Sequence, residues 1–289
     1  MNPRYPIYIP TKGRWESRLT VRFLENVGVP YKIVVERQEY KKYAAVVDRK
    51  NIITLPFRDK GLTATRNWIW DFARDSGVER FWTLDDNIGA RLVTHGYTGL
   101  FRFYKNMQIP VLTGTPFRII EDFVDRYENI AIAGMNYFMF VNRKDNPTPF
   151  YLNSRVYSNM LLPTDIRSPK TGEPYRNEMD KYNDDTDLNL RVLKDGWCTV
   201  LFNAFLVWKR PTMTIKGGMD SLYESDGRWQ ASEELREKHP DVTKVVWRFH
   251  RWHHIVDYSK FRKNKLIRKK GVQRPKEKVD NYGLKLIKL

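Results

Sequence analysis

Glu79 to Ile88 reads Glu-Arg-Phe-Trp-Thr-Leu-Asp-Asp-Asn-Ile, an apolar run that stops on two adjacent carboxylates and an amide. A short apolar run of this kind reads as a buried parallel strand, and open α/β sheets receive ligands beyond the carboxyl ends of such strands. Asp85 and Asp86 are therefore expected at the sheet edge where a substrate docks. Two carboxylates suit Mg²⁺ or Mn²⁺, which take some oxygens from protein and the rest from phosphate and water. Asp and Asn also cap turns after ordinary strands, so this triplet alone leaves metal site and plain turn both open.

The residues ahead of it favour the metal. Gly61 to Asp75 carries Leu62, Ile69, Phe72 and Ala73 at helical spacing, with a threonine as cap near the start and Gly77 as stop. Arg66 and Asn67 lie early in this helix. If it packs between parallel strands they face the same strand ends as Asp85 and Asp86, and a basic side chain there suits a diphosphate.

At this point the chain resembles the GT-A glycosyltransferases, nucleotide-sugar enzymes with a Gly-x-x-x-x-Arg-Asn helix, a strand and an Asp-x-Asp-type metal motif. Gly61, Arg66, Asn67, Asp85 and Asp86 match that order, with Asn87 where the family motif usually closes on an aspartate. A second match is Tyr5 to Arg14, a strand breaking into Pro10-Thr11-Lys12-Gly13-Arg14; the resemblance implies that this loop holds the nucleobase and ribose. Glycine admits a close backbone approach, and Lys12 and Arg14 add positive charge beside a phosphate. A third match is Tyr182 to Gly196, where the family places a general base at the head of a helix, which here would be Asp184 or Asp185. Carboxylates in a first helical turn also serve the helix dipole in any protein, so cap and base are both open on the residues alone. The family often completes its metal shell with a carboxy-terminal histidine; His250, His253 and His254 cluster there, and His254 is the candidate. Lys216-Gly217-Gly218-Met219 offers two glycines, either as backbone contacts to the donor or as a plain turn.

A closer resemblance covers nearly the whole chain. The order of Ile-Pro-Thr-Lys-Gly-Arg, the Leu-Pro-Phe-Arg-Asp-Lys-Gly-Leu-Thr-Ala-Thr-Arg-Asn run, Thr-Leu-Asp-Asp-Asn-Ile, Asn-Asp-Asp-Thr-Asp-Leu, Lys-Gly-Gly-Met-Asp and Arg-Trp-His-His-Ile-Val-Asp-Tyr is similar to the TET/JBP-associated glycosyltransferases. Membership implies a phage-type enzyme that moves a sugar from a nucleotide sugar, such as a UDP-sugar, to a hydroxymethylated pyrimidine in DNA, usually 5-hydroxymethylcytosine, by an inverting displacement.

Charge agrees with such an acceptor. The 289 residues hold 51 Lys and Arg against 34 acids, a formal net of +17, and from Lys244 to Leu289 there are 15 basic and 3 acidic residues, so +12 of that excess lies at the end. Basic stretches bind polyanions, although such a tail can also be merely solvated. Within it, Val245 to His254 interleaves aromatics with bases, as a platform for unstacked bases would; Arg248, Arg251, Trp252, His253, Lys260, Arg262 and Lys263 are the candidate DNA contacts. To reach a base hydroxymethyl group the enzyme would flip the nucleotide or bend the duplex, with an aromatic wedge from Trp247 to His254 as a candidate.

These elements predict an α/β GT-A-like fold: a mostly parallel sheet with helices on both faces over 1–243, and a basic aromatic segment, 244–289, that completes the site and contacts DNA. Strands are expected at Tyr31–Val35, Asn51–Thr54, Ile130–Val141, Arg155–Leu162 and Trp197–Val207, and helices at Glu39–Val46 and Pro116–Tyr127. Tyr137, Phe138, Phe140, Phe150, Tyr151 and Tyr157 read as core or as a wall against the acceptor base. The single Cys198 excludes a disulfide framework. No apolar run approaches the roughly 20 residues of a membrane span, and the amino terminus lacks a signal-peptide pattern, so a cytoplasmic protein is expected, host-cytoplasmic if phage-encoded. Two rival readings remain: the same fold with a protein or glycan acceptor, and a DNA-binding protein on a decayed transferase scaffold.

Overall fold

The computed structural model describes residues 1–89, 91–93, 96–104, 106–141, 147–179, 183–210 and 227–272. In chain order the strands and helices are β1 (Ile7–Pro10), α1 (Leu19–Asn26), β2 (Lys32–Val35), α2 (Tyr40–Ala44), β3 (Ile52–Thr54), α3 (Gly61–Asp75), β4 (Arg80–Leu84), β5 (Arg91–Val93), β6 (Gly96–Thr98), β7 (Leu100–Tyr104) and β8 (Met107–Val111). They continue with α4 (Thr115–Val124), β9 (Ile130–Tyr137), β10 (Phe150–Leu152), β11 (Asn159–Pro163), α5 (Asp184–Lys194), β12 (Cys198–Val207), α6 (Gly227–Lys238), β13 (Thr243–Arg248) and β14 (Arg251–Val256).

Successive side chains of a strand point to opposite faces, and the buried strands here are apolar at nearly every position, as a sheet covered on both sides requires. Ile7, Ile9, Ile33, Val35, Trp82 and Leu84 face one core with Phe23 and Leu24 of α1, Tyr43 of α2 and Phe117 and Ile120 of α4. Tyr8, Val34 and Phe81 face the other, with Ile69, Trp70 and Ala73 of α3 and Leu188 and Val192 of α5. The result is a ten-stranded sheet of order β3-β2-β1-β4-β11-β9-β12-β7-β8, with β10 paired to β12. β1, β2, β3, β4, β9, β12 and β8 run one way, and β11, β7 and β10 the other. The expected mostly parallel sheet with helices on both faces is thus present. Among the described residues no helix is long and apolar enough to cross a membrane.

The chain order turns back at β1, whose neighbours are β2 on one side and β4 on the other. Such a switch opens a crevice at the carboxyl ends of the strands. Here it sets the loop after Pro10 beside the turn after Leu84.

Several boundaries differ from those expected. Glu39–Val46 is a 3-10 turn (Arg37–Glu39) followed by α2, and Asn51 closes a second 3-10 turn before β3. The strand expected to run to Val141 ends at Tyr137, and the one expected from Arg155 begins at Asn159, because Ser158 turns through φ 62°. Helix α3 spans the predicted residues and stops before Gly77 (φ 75°), but its N-cap is Lys60 and no threonine caps it; Thr63 donates to the Met179 carbonyl instead. Phe140 and Tyr151, read as core or acceptor wall, are exposed.

β9 and β11 are joined by more than their ladder. Asn159 accepts from the Met135 amide (2.6 Å) and donates to the Met135 carbonyl (2.9 Å). This close approach requires Gly134, where a Cβ would land on the Asn159 carbonyl oxygen and within 2.6 Å of Val156 Cγ1. Both obstacles are backbone or packed core, so Gly134→Ala is expected to destabilise by roughly 1–3 kcal/mol. Urea unfolding checks this, and a wild-type midpoint would refute the crowding.

The carboxy-terminal segment is not a free tail over its described part. Phe261 packs with Leu190, Leu193, Leu235 and Val242, Asn264 Nδ2 donates to the Leu193 carbonyl at 2.8 Å, and Asn153 Nδ2 donates to the Phe261 and Asn264 carbonyls at 2.9 Å. β13 and β14 form a separate antiparallel hairpin supported by α6.

Candidate active site

The two acidic motifs meet through one arginine. Arg66 lies one turn into α3, which packs against the sheet with its amino end at the carboxyl ends of the strands. Its NH2 donates to Asp85 Oδ1 at 2.8 Å and its NH1 to Asp184 Oδ2, at the head of α5. Asp184 is 118 residues away in sequence.

Asp85 has a second cation that sequence reading missed. Lys209 Nζ donates to Asp85 Oδ2 (2.7 Å) and to Ser158 Oγ (2.7 Å), and Tyr137 OH shares a 2.5 Å hydrogen bond with the same Ser158 Oγ. The left-handed turn at Ser158 makes this possible, since it also aims the Ser158 carbonyl at the Asp85 amide, 2.7 Å away. Burial by itself would raise the Asp85 pKa, but Lys209 and Arg66 outweigh it and hold the carboxyl well below its ordinary value. Burial would likewise lower the Lys209 pKa; Asp85 reverses this and raises it.

Asp86 turns to the first loop. Thr11 Oγ1 donates to Asp86 Oδ2 at 2.8 Å, Arg14 pairs with Asp86 Oδ1, and Tyr43 OH ties Thr11 Oγ1 (2.8 Å) to the Arg14 amide (3.0 Å). Burial raises the Asp86 pKa, with Arg14 acting against it. Thr20 of α1 clamps the turn itself: its hydroxyl donates to the Asp85 carbonyl (2.6 Å) and accepts from the Ile88 amide (3.0 Å). Pro10 is the buried last residue of β1.

Other candidates are placed differently. Lys12 turns from the acidic pair to Glu36 (3.0 Å) and Asp59 (2.5 Å). Asn67 is occupied by the loop before α5, its Nδ2 on the Asn177 carbonyl (3.0 Å) and its Oδ1 on the Asn177 amide (2.9 Å), so it braces that loop rather than facing Asp85. Gly217 and Gly218 lie outside the described residues.

At the head of α5 the two aspartates diverge. Asp184 is buried on Arg66, and burial raises its pKa against that guanidinium. Asp185 is half-buried; its Oδ1 accepts from the Thr186 amide at 2.6 Å within the first turn of α5, whose N-cap is Asn183, and its charge reaches Arg155, Tyr157, His254 and Tyr258. Arg155 Nε and Tyr258 OH are buried there without a hydrogen-bond partner. Buried polar atoms in this condition are uncommon and mark places where a ligand can bond. Asp187, the third acid, is a packing residue held by His239 (3.0 Å) and Arg191 (2.9 Å).

His254 is not gathered with Asp85 and Asp86. Among the described residues no three His, Cys, Asp or Glu side chains converge as a metal site. The β14 strand carries His254 to Arg155 instead, whose NH1 donates to its Nε2 at 3.2 Å. Guanidinium can only donate, so that nitrogen is unprotonated. Burial and then Arg155 push the His254 pKa from 6.5 down to about 4. Between those two values the unfolded chain takes up a proton and the folded chain does not, so this contribution to stability is present above pH 6.5 and is lost as pH falls through the window. His254→Gln, which keeps an acceptor for Arg155, is expected to flatten the dependence of Tm on pH over that range; an unaltered profile would refute the assignment.

The candidate DNA contacts cluster at the hairpin and just beyond. Arg248, Arg251 and Trp252 are exposed on it, and His253 accepts from Arg251 Nε at 3.1 Å. Arg262 and Lys263 are exposed in the following turn, and Lys260 Nζ bonds the Asp241 carbonyl at 2.6 Å.

Taken with their counter-ions, Asp85, Asp86, Asp184 and Asp185 face Arg14, Arg66, Arg155 and Lys209, a balanced cluster at the open end of a switch-point crevice. Such an arrangement suits a phosphate-bearing ligand, because anionic oxygens can exchange places with carboxylates around fixed cations. No curated protein matches the chain. The model of the TET-associated glycosyltransferase family does match, over residues 5–218. That span runs from the first strand through both acidic motifs and Lys209 and stops short of α6 and the hairpin. Since it takes in most of the 289 residues, the chain belongs to the TET-associated glycosyltransferase family.

Proposed function

We propose that this glycosyltransferase moves a sugar from a UDP-sugar to the hydroxymethyl group of a modified pyrimidine in DNA, 5-hydroxymethylcytosine being the first candidate. The observation that carries the reading is the bridge made by Arg66. It joins Asp85, at the strand end where a donor diphosphate docks, to the head of α5, where Asp185 borders two unpartnered polar atoms on the acceptor side.

Arg14, Arg66 and Lys209 offset the charge that develops on the leaving diphosphate. Asp185 takes the proton of the acceptor hydroxyl. The bond from the anomeric carbon to phosphate oxygen breaks as the bond to the acceptor oxygen forms, with inversion and no covalent enzyme intermediate. Asp85 and Asp86 are chemically suited to Mn²⁺ or Mg²⁺, which when bound would neutralise diphosphate charge. All four of their carboxylate oxygens already accept from Arg66, Lys209, Arg14 and Thr11. That occupancy favours a second reading, in which Lys209 and Arg14 handle the diphosphate without a metal.

The test is nucleoside mass analysis of duplex DNA carrying 5-hydroxymethylcytosine, incubated with a panel of UDP-sugars and either Mn²⁺ or EDTA, beside Asp86→Ala and unmodified DNA. A hexose or N-acetylhexosamine mass on the modified base alone supports the acceptor, and loss in EDTA supports the metal. Full activity in EDTA selects the second reading. UDP binding without transfer to any DNA points to a protein or glycan acceptor, and no UDP binding leaves a DNA-binding scaffold.

A further inference from the structure

The β13/β14 hairpin is built against local preference at its tip. Arg248 pairs with Arg251, leaving Phe249 and His250 as a two-residue loop. Both have positive φ, 52° and 57°, the geometry of a type I′ turn, for which Asn-Gly is the favoured sequence. A bulky aromatic in that region is a real outlier. The closing pair is a second anomaly, because like charges directly opposite on neighbouring strands repel. Phe249 meets the His253 ring edge-on (centroids 6.1 Å apart) and Trp247 that of Trp252 (5.2 Å) on the same hairpin, yet Phe249 is 81% exposed and Trp247 57%, so burial in a core does not account for these choices. Strain of this sort persists where function requires it.

A polyanion with an apolar interior answers both anomalies at once. Phosphates neutralise Arg248, Arg251 and the exposed Lys244, and a base stack accepts an aromatic edge. The same hairpin carries His254, which sits on Arg155 beside Asp185. At about 3.3 Å per residue, the tip lies some 13 Å along the strand from that acceptor-side cluster. α6 packs along both strands, so the tip rests on a fixed base.

We propose that Phe249 is a wedge that enters the base stack of duplex DNA and holds open the gap left by the nucleotide delivered to Asp185. This rests on the reading that the acceptor is a base in DNA, and it adds which residue pays for extrusion and why duplex is the form engaged. Enzymes acting on a base within a duplex must overcome unpairing and unstacking, whereas a single strand presents the base without that cost.

The experiment compares the full chain with a Phe249→Asn, His250→Gly double variant and with Phe249→Trp. The double variant installs the preferred turn sequence, so a defect cannot be ascribed to a broken hairpin. Each protein is assayed on one 5-hydroxymethylcytosine oligonucleotide, single-stranded and as a duplex, and on a duplex with 2-aminopurine beside the target. The double variant is expected to lose duplex transfer by on the order of 10- to 100-fold, to keep single-strand transfer, and to fail to brighten 2-aminopurine; Phe249→Trp is expected to retain all three. Unchanged duplex transfer in the double variant, or an equal loss on both forms, would overturn the wedge while leaving the acceptor reading intact. Wild-type protein that transfers to neither form would overturn the acceptor reading, and the wedge with it.

Discussion

Asp185→Asn is expected to lower the transfer rate by roughly 10²- to 10⁴-fold, with KM for the nucleotide sugar and Tm close to wild type. The sequence leaves Asp184 and Asp185 as alternatives for the general base, and their surroundings separate them. Asp184 is buried with Arg66 on one of its oxygens. A carboxylate fixed in that way holds a structure together but has little freedom to meet an acceptor. Asp185 is half-buried, and its charge is felt by Arg155, Tyr157, His254 and Tyr258. Asn keeps the size of the side chain and an oxygen for the Thr186 amide, so that hydrogen bond and the fold persist and only the proton acceptor is removed. Loss confined to kcat is the signature of an interaction made in the transition state. Near-normal turnover by Asp185→Asn beside a collapse in a well-folded Asp184→Asn would transfer the role to Asp184.

Arg66→Met is expected to remove about 3–5 kcal/mol of stability, the cost of breaking a buried ion pair from one side. For a chain of this size that lowers Tm by on the order of 10 °C. Methionine fills much of the same space, so the loss reflects charge. Arg66 touches two acids from different elements, and its removal leaves Asp184 without the guanidinium and Asp85 with Lys209 alone. The pH dependence carries a definite sign. In the wild type, the pKa of Asp85 is depressed, so its contribution is present above the ordinary carboxylate value of 3.8 and is lost as pH falls toward the folded pKa. In the variant that contribution is smaller, and Asp184, whose pKa burial already raises, is more strained when ionised. Both effects make the gap between variant and wild type widest near neutrality and narrower on acidification. Adding Asp184→Asn should recover part of the stability, since neighbouring groups of one network do not add. A Tm unchanged by Arg66→Met at pH 7 would remove the bridge from the account of the site.

Neighbours in sequence made some parts legible. Helix α3 was readable to its ends because its apolar positions recur at helical spacing and Gly77 supplies the positive φ that stops it. The strand before Asp85 was readable because a doubly covered strand must be apolar throughout. The carboxy-terminal stretch was legible as basic and aromatic but not as a hairpin, since Phe249-His250 lacks the turn residues that announce one. The strands between Arg91 and Val111 raised no expectation. Lys209, Ser158 and Arg155 carried no local signal of a site, and Tyr137 only that of an aromatic in a strand, for none belongs to a motif and each acquires its role from a distant partner.

By itself the sequence determined the family, the alternation of strands and helices, and which carboxylates and bases stand at the ends of those elements, because propensity and amphipathic periodicity act within a few residues along the chain. Tertiary structure alone decided how those charges are shared: Asp85 with Lys209 across 124 positions, Asp184 with Arg66 across 118, Asp86 with Arg14 across 72, and His254 with Arg155 across 99 instead of with the acidic pair. The physical reason is that a buried charge takes whatever counter-charge the packed elements bring within a few ångströms. Which elements those are depends on the order in which β1, β4, β11 and β12 assemble in the sheet.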